Sequence, residues 1–208
     1  MKIISIVISV LLISTYIYGD TYGNRLKTIS DKAVEGCSIT EDKVRALRQY
    51  VHEKMKFPEP RVKPNGEPLQ PKDIYILNTI ERLESGLGGW CDQQADVFMD
   101  LAKKQGINTR KVFLYIIKNG KRTSPHTIAE AQIGNRWVIV DTLYDLELTN
   151  KKGQMASRLD IAKDTSILYN NPTIKKFAKE NPSIWTDENY LSMYYNNLGV
   201  VVKNQLGE

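Results

Sequence analysis

Three residues have side chains and local contexts suited to one chemistry: Cys91, His126 and Asp141. Cys91 closes the run Gly88-Gly89-Trp90-Cys91, and apolar residues then recur at helical spacing through Ala95, Phe98, Met99 and Ala102 until Gly106. The cysteine therefore sits in the first turn of a predicted helix. Unpaired N–H groups and the positive end of the helix dipole favour the thiolate there, the form that attacks a carbonyl carbon. An imidazole beside it would lower the thiol pKa further, and a carboxylate would hold that imidazole in one tautomer. The Cys91 N–H is a natural oxyanion donor, and the preceding glycines would let a substrate approach closely. Together the three residue types point to nucleophilic acyl chemistry. A buried structural cysteine is the competing reading of Cys91 on local sequence alone.

The chemistry requires elements that bring the three together. Residues 126–133 and 136–141 read as short strands joined at Gly134-Asn135, a pair suited to the positive φ values of a two-residue hairpin. If Ile133 pairs with Arg136, Ile128 faces Asp141 across the ladder. Alternation then puts His126, Ile128 and Glu130 on one face with Trp137, Ile139 and Asp141. His126 becomes a diagonal neighbour of Asp141 at about 7–8 Å between backbones, a gap that the two side chains can span. A slip of one residue would put them on opposite faces.

The stretch from Gly86 to Asp145 resembles the core of the transglutaminase-like superfamily. The resemblance rests on Gly89-x-Cys91, Ala95, Phe98, Leu101, Gly106-Ile107 and Arg110, then His126-x-x-x-Glu130 and Trp137-x-x-x-Asp141. It implies an α+β, papain-like fold, with a helix bearing the cysteine packed against an antiparallel sheet bearing histidine and aspartate. It also implies Cys91 as nucleophile, His126 as general base and acid, and Asp141 as the orienting carboxylate. Two features depart from the pattern: Ile128 stands where an aromatic residue is common, and no upstream side chain is assignable to an oxyanion hole. Glu130 reads equally as a strand carboxylate that fixes its neighbours. The arylamine acetyltransferases share this triad geometry, but Leu87 stands in place of their arginine.

At 208 residues the chain can bury one core without disulfides. Lys2 followed by an apolar run from Ile3 to Tyr18 reads as a signal peptide over residues 1–19, with an uncleaved anchor through residues 3–18 as the alternative because no Ala-x-Ala site precedes Asp20. The expectation is an exported protein, periplasmic or extracellular, with one transglutaminase-like domain over residues 20–208. Its core would be 86–145, with a helical extension over 146–208. In that compartment a Cys37–Cys91 disulfide is the main competitor to a reactive thiol; Cys37 otherwise reads as a free or structural thiol. Two cysteines with His52 and His126 make a poor zinc set, and no calcium loop is recognisable, so no metal or cofactor is expected. The formal charge of +5 suggests acidic partners. No nucleic-acid motif accompanies it. Nothing in the sequence bears on oligomeric state.

Elsewhere, Val44, Leu47, Arg48 and Val51 mark a helix over 41–54 with Thr40 as its cap and His52 on its surface. Five prolines between Pro58 and Pro71 predict an extended loop that either borders the active-site cleft or, the commoner fate of such connections, wraps the domain, and Asp73 to Leu83 reads as a second helix. Asp92, Asp96 and Asp100 recur at a spacing that suggests a solvated helix face rather than a metal site. Arg110 to Ile117 reads as a strand, Asn119-Gly120 as its turn, and Ser124-Pro125 as a break in pairing. Tyr190, Tyr194 and Tyr195 read as core packing on a helix, and Leu198 to Val202 as a closing strand or the end of that helix. The functional expectation is an enzyme acting through a thioester on a peptide, protein or cell-envelope amide. The non-enzymatic alternative is a binding module of the same fold.

Overall fold

A computed structural model describes residues 21–57, 60–196 and 200–204. The leader or anchor expected over residues 1–19 lies outside them. Among the described residues no helix is long and apolar enough to cross a membrane.

A helix over residues 21–33 (α1) leads to α2 (Thr40–Lys54), α3 (Pro71–Tyr75), α4 (Thr79–Glu84) and α5 (Cys91–Lys104). Strands β1 (Thr109–Lys118), β2 (Lys121–Ile133) and β3 (Arg136–Val140) follow, then α6 (Arg158–Lys163), α7 (Ser166–Tyr169) and α8 (Pro172–Glu180). A wide turn over Asp187–Leu191 and a 3-10 turn over Ser192–Tyr194 precede β4 (Val200–Asn204). The sheet is antiparallel throughout, in the order β3-β2-β1-β4. The fold is α+β, with the cysteine-bearing helix on an antiparallel sheet.

The β2–β3 hairpin turns at Gly134 with φ 58°, and Ile133 pairs with Arg136. Alternation then divides the apolar residues between two faces. Ala129, Ala131, Val138 and Val140 pack beneath α5 and α2, against Phe98 and Leu47. Val112, Leu114, Ile128 and Ile139 face the C-terminal segments, against Leu168, Ile174 and Tyr194. Residues 146–196 are thus the cover of the second face, and the chain then returns to the sheet as β4. β2 begins earlier than the histidine. Ser124-Pro125 does not end pairing; the ladder absorbs the proline as an irregularity between Leu114 and Ile116.

Three local expectations are corrected. Thr40 is already helical, and the cap position falls to Ile39, which makes no side-chain cap hydrogen bond. The second helix is split, because Asn78 accepts from the Ile80 and Glu81 N–H groups and restarts the chain as α4. The aspartate stripe is a docking face: Asp96 is 19 % exposed and pairs with Lys111 at 2.7 Å, while the Thr79 hydroxyl donates to Asp100. Cations and hydroxyls on neighbouring elements replace the expected water.

Candidate active site

The cysteine turn is set by backbone crowding. Gly88 has φ +76°, and a Cβ there would come within 2.7 Å of the Phe57 Cα; a Cβ on Gly89 would meet Met55 Cε at 2.4 Å. The two glycines therefore admit the end of α2 and the residues after it, not a substrate as their position suggested. Trp90 is extended, and its N–H donates to Gln93 Oε1 at 3.0 Å, which makes Trp90 the cap of α5 and starts the helix at Cys91. Cys91 occupies the first helical position, where N–H groups lack an acceptor in the preceding turn.

His126 and Asp141 share a face of the hairpin, and their side chains meet: Nε2 lies 2.8 Å from Asp141 Oδ2, with both residues buried. This bond leaves Nδ1 for Cys91, which is hydrogen-bonded to the imidazole. The thiol also accepts from the backbone N–H and hydroxyl of Thr127. The structure thus brings together all three residues singled out from the sequence. Both Cys91 and Cys37 are free thiols, so the competing disulfide is not formed.

The loop that ends at Asp141 is pinned by α2. Buried Arg48 donates through Nε to Asp145 Oδ1 at 2.8 Å and also pairs with Glu147. His52 Nδ1 lies 2.9 Å from the Thr142 carbonyl oxygen, so His52 is half-buried beside the site rather than on open surface. Asp141 has two further donors, the Tyr144 N–H to Oδ1 at 3.2 Å and the Tyr194 hydroxyl to Oδ2 at 2.7 Å. Tyr194 was read from sequence as core packing. It is buried, but its hydroxyl belongs to the site. No sequence signal separated it from the neighbouring tyrosines, because its partner lies 53 residues earlier.

The electrostatics favour separated charge. Burial pushes the Cys91 thiol up, but the hydrogen bond and charge of His126, with the donors of Thr127, outweigh it and hold the thiol below its ordinary value. Burial would lower the imidazole, but Asp141, through charge and hydrogen bond, and the Cys91 sulfur push it up to about 10. Burial would raise the Asp141 carboxyl, yet His126, Tyr194 and the Tyr144 N–H bring it below the usual range. The arrangement can hold a thiolate–imidazolium pair across neutral pH.

The site opens into a cleft of about 500 Å³ whose walls include Trp90, Phe57, Tyr144, Tyr190 and Gln94. Gln94 donates through Nε2 to the carbonyls of Met55 and Gly89, so its amide protons are used within the protein. Its Oε1 is buried, and no donor among the described residues reaches it. The Cys91 N–H, at the first helical position, is the candidate oxyanion donor. The proline-rich segment also borders this cleft through Arg61, the less favoured of its two expected placements. Val62 bridges to Pro68 across the Asn65-Gly66 turn, which folds the segment back on itself.

Glu130 shares the sheet face of His126 but not its site. It is 1 % exposed and clamped between Arg110 at 2.6 Å and Arg158 at 2.7 Å. It is a carboxylate that fixes its neighbours.

A solved structure of a candidate cysteine protease from Cytophaga hutchinsonii is 17% identical, covering 64% of this chain and 40% of that one, with a TM-score of 0.42. The crystal structure of a TGase is also 17% identical, covering 61% of this chain and 32% of that one, with a TM-score of 0.41. The chain thus spans less than half the length of these proteins. No curated protein matches the sequence. A family model described as the transglutaminase-like superfamily matches residues 27–142, more than half of the chain and inclusive of Cys91, His126 and Asp141. The chain belongs to the transglutaminase-like superfamily.

Proposed function

We propose that this protein is an exported cysteine enzyme that cleaves or transfers amide and peptide acyl groups through a thioester on Cys91. The observation that carries this reading is the hydrogen-bonded series of Cys91, His126 and Asp141, with the sulfur at a helix N-terminus. The Cys91 thiolate attacks the carbonyl carbon and forms a C–S bond, and the carbonyl oxygen takes the negative charge beside the Cys91 N–H. As the C–N bond breaks, the His126 imidazolium gives its proton to the departing amine. Neutral His126 then takes a proton from water or from a primary amine as that nucleophile attacks the thioester. The acyl group leaves as acid or as a new amide, and the imidazolium returns its charge to the pair with the freed thiolate. Water makes the protein a peptidase or amidase; an amine makes it an acyltransferase. Asp141 keeps the imidazole oriented throughout.

Export is proposed from the charged and apolar leader over residues 1–19, and the chain beyond it is proposed to act as one domain. The test is covalent trapping by a peptidyl chloromethyl ketone. Wild type should be modified at Cys91, and Cys91→Ala should show no adduct in the cleft while retaining its circular dichroism spectrum. Undiminished trapping in that variant refutes the assignment.

A further inference from the structure

A second pocket, of about 370 Å³, lies by the β2–β3 hairpin and shares no lining residue with the cleft at Cys91. Arg110, Arg136, Arg158, Glu130, Trp137 and Leu159 line it. Arg110 brings Nε and Nη2 to Glu130 Oε2 at 2.6 Å, and Arg158 brings Nε to Oε1 at 2.7 Å. Arg136 pairs with Asp160 Oδ2 at 2.6 Å. Three guanidiniums therefore share two carboxylates, and one positive charge is left over. Glu130 is 1 % exposed, whereas Arg110 and Arg158 keep 24 % and 19 % of their side chains in solvent. The face of the cluster that meets water is thus cationic. Nη1 of Arg110 and both terminal nitrogens of Arg158 hydrogen-bond to none of the described residues. The Arg110 guanidinium also lies 4.3 Å from the centre of the Trp137 ring, which holds it in place. Leu159 is 65 % exposed, so apolar surface stands beside the cations.

We propose that this pocket binds a small organic monocarboxylate, its charged end against Arg110 and Arg158 and its apolar body against Trp137 and Leu159. One surplus cation matches one negative charge, and guanidinium N–H groups suit the two oxygens of a carboxylate. With Glu130 buried behind the arginines, an approaching ligand meets positive charge first. Apolar walls with a few convergent donors are the usual make-up of a small-molecule site. A dianion would meet too little charge here, and an amine would meet charge of its own sign. Binding involves neither Cys91 nor His126, so the site stands apart from the thioester chemistry.

The experiment titrates the full chain, labelled with nitrogen-15, with N-acetylleucine, N-acetylleucinamide or inorganic phosphate, and follows the Trp137 indole N–H by NMR. N-acetylleucine should shift that resonance saturably and bind about ten-fold more tightly than the amide, which has the same body without the charge. Arg158→Gln removes the surplus cation and should bring the two Kd values within about two-fold of each other. Leu159→Ala removes only atoms of an exposed side chain, so its fold should survive, and the acid should bind about two- to five-fold more weakly. Acid and amide binding alike in the wild type would overturn the inference. So would phosphate binding as tightly as the acid, a preference for the acid that persists in Arg158→Gln, or an acid Kd unmoved by Leu159→Ala. Protection of Cys91 from iodoacetamide with the same Kd would place the acid in the catalytic cleft and also overturn it.

Discussion

Gly88→Ala is the most exacting test of how the cysteine turn is built, because Gly86→Ala supplies its own control. Both glycines have positive φ, +66° at Gly86 and +76° at Gly88, but a Cβ at Gly86 meets nothing within 4 Å. Gly86→Ala therefore incurs only the left-handed backbone cost, about 1–2 kcal/mol. At Gly88 the same strain is joined by overlap with the Phe57 backbone at 2.7 Å. Backbone cannot rotate away as a side-chain tip can, so overpacking adds about 1–3 kcal/mol, for a total of about 2–5 kcal/mol. For a chain of this length each kcal/mol lowers Tm by about 2–4 °C. The expected losses are about 2–8 °C for Gly86→Ala and about 4–20 °C for Gly88→Ala. Scanning calorimetry at one scan rate measures both, with urea midpoints as a second probe. Iodoacetamide labelling should also slow at Cys91 in Gly88→Ala, since any retreat of Phe57 disturbs the turn that aims the sulfur. Equal losses in the two variants would refute the claim that Phe57 requires a glycine at Gly88.

Three further outcomes are expected. Because the thiol is held below its ordinary value and His126 is raised to about 10, alkylation of Cys91 should stay fast in mild acid, where an ordinary thiol of pKa about 8.5 is almost wholly protonated; His126→Ala should return the profile to that of N-acetylcysteine, and a wild-type profile already matching it would refute the ion pair. Tyr194→Phe removes a hydrogen bond to a buried carboxylate and should lower stability by about 1.5–3 kcal/mol. Asp141 is depressed when folded, so its contribution is present above the unfolded carboxyl pKa and fades as pH falls through the folded one; losing Tyr194 shifts that acid limb to higher pH, read from urea midpoints at successive pH values. Glu130→Gln leaves Arg110 and Arg158 facing each other without their shared carboxylate and should reduce stability by about 2–4 kcal/mol, below the range for a fully buried pair because the arginines keep some exposure. An unchanged urea midpoint would show that the clamp is electrostatically neutral.

The hairpin was legible because its register depends on a two-residue turn and on alternation, both local properties. Gly134-Asn135 placed Ile133 opposite Arg136, and the His126–Asp141 pair followed from period-two geometry. The helix that begins at Cys91 was legible for the same reason, since its apolar spacing and terminal glycine are contained within sixteen residues. Tertiary placement was not legible. The aspartates of α5 have the spacing of a solvated stripe, yet Lys111 and Thr79 arrive from other elements to pair with them. His52 looked like a surface residue because nothing nearby in sequence announces the Thr142 carbonyl. The glycines before Cys91 signalled close approach correctly, but not that Phe57 and Met55 are what approach.

Thr127 donates to the sulfur, and His126, its immediate neighbour in β2, pairs with that same sulfur. The sulfur is thus held by two consecutive residues of one strand, and the imidazole cannot drift relative to the Thr127 donors without bending β2 itself. Sliding α5 along the sheet would break both attachments in one movement. A shift of the helix would therefore cost the sulfur its imidazole and its Thr127 donors together, and move it toward an ordinary thiol.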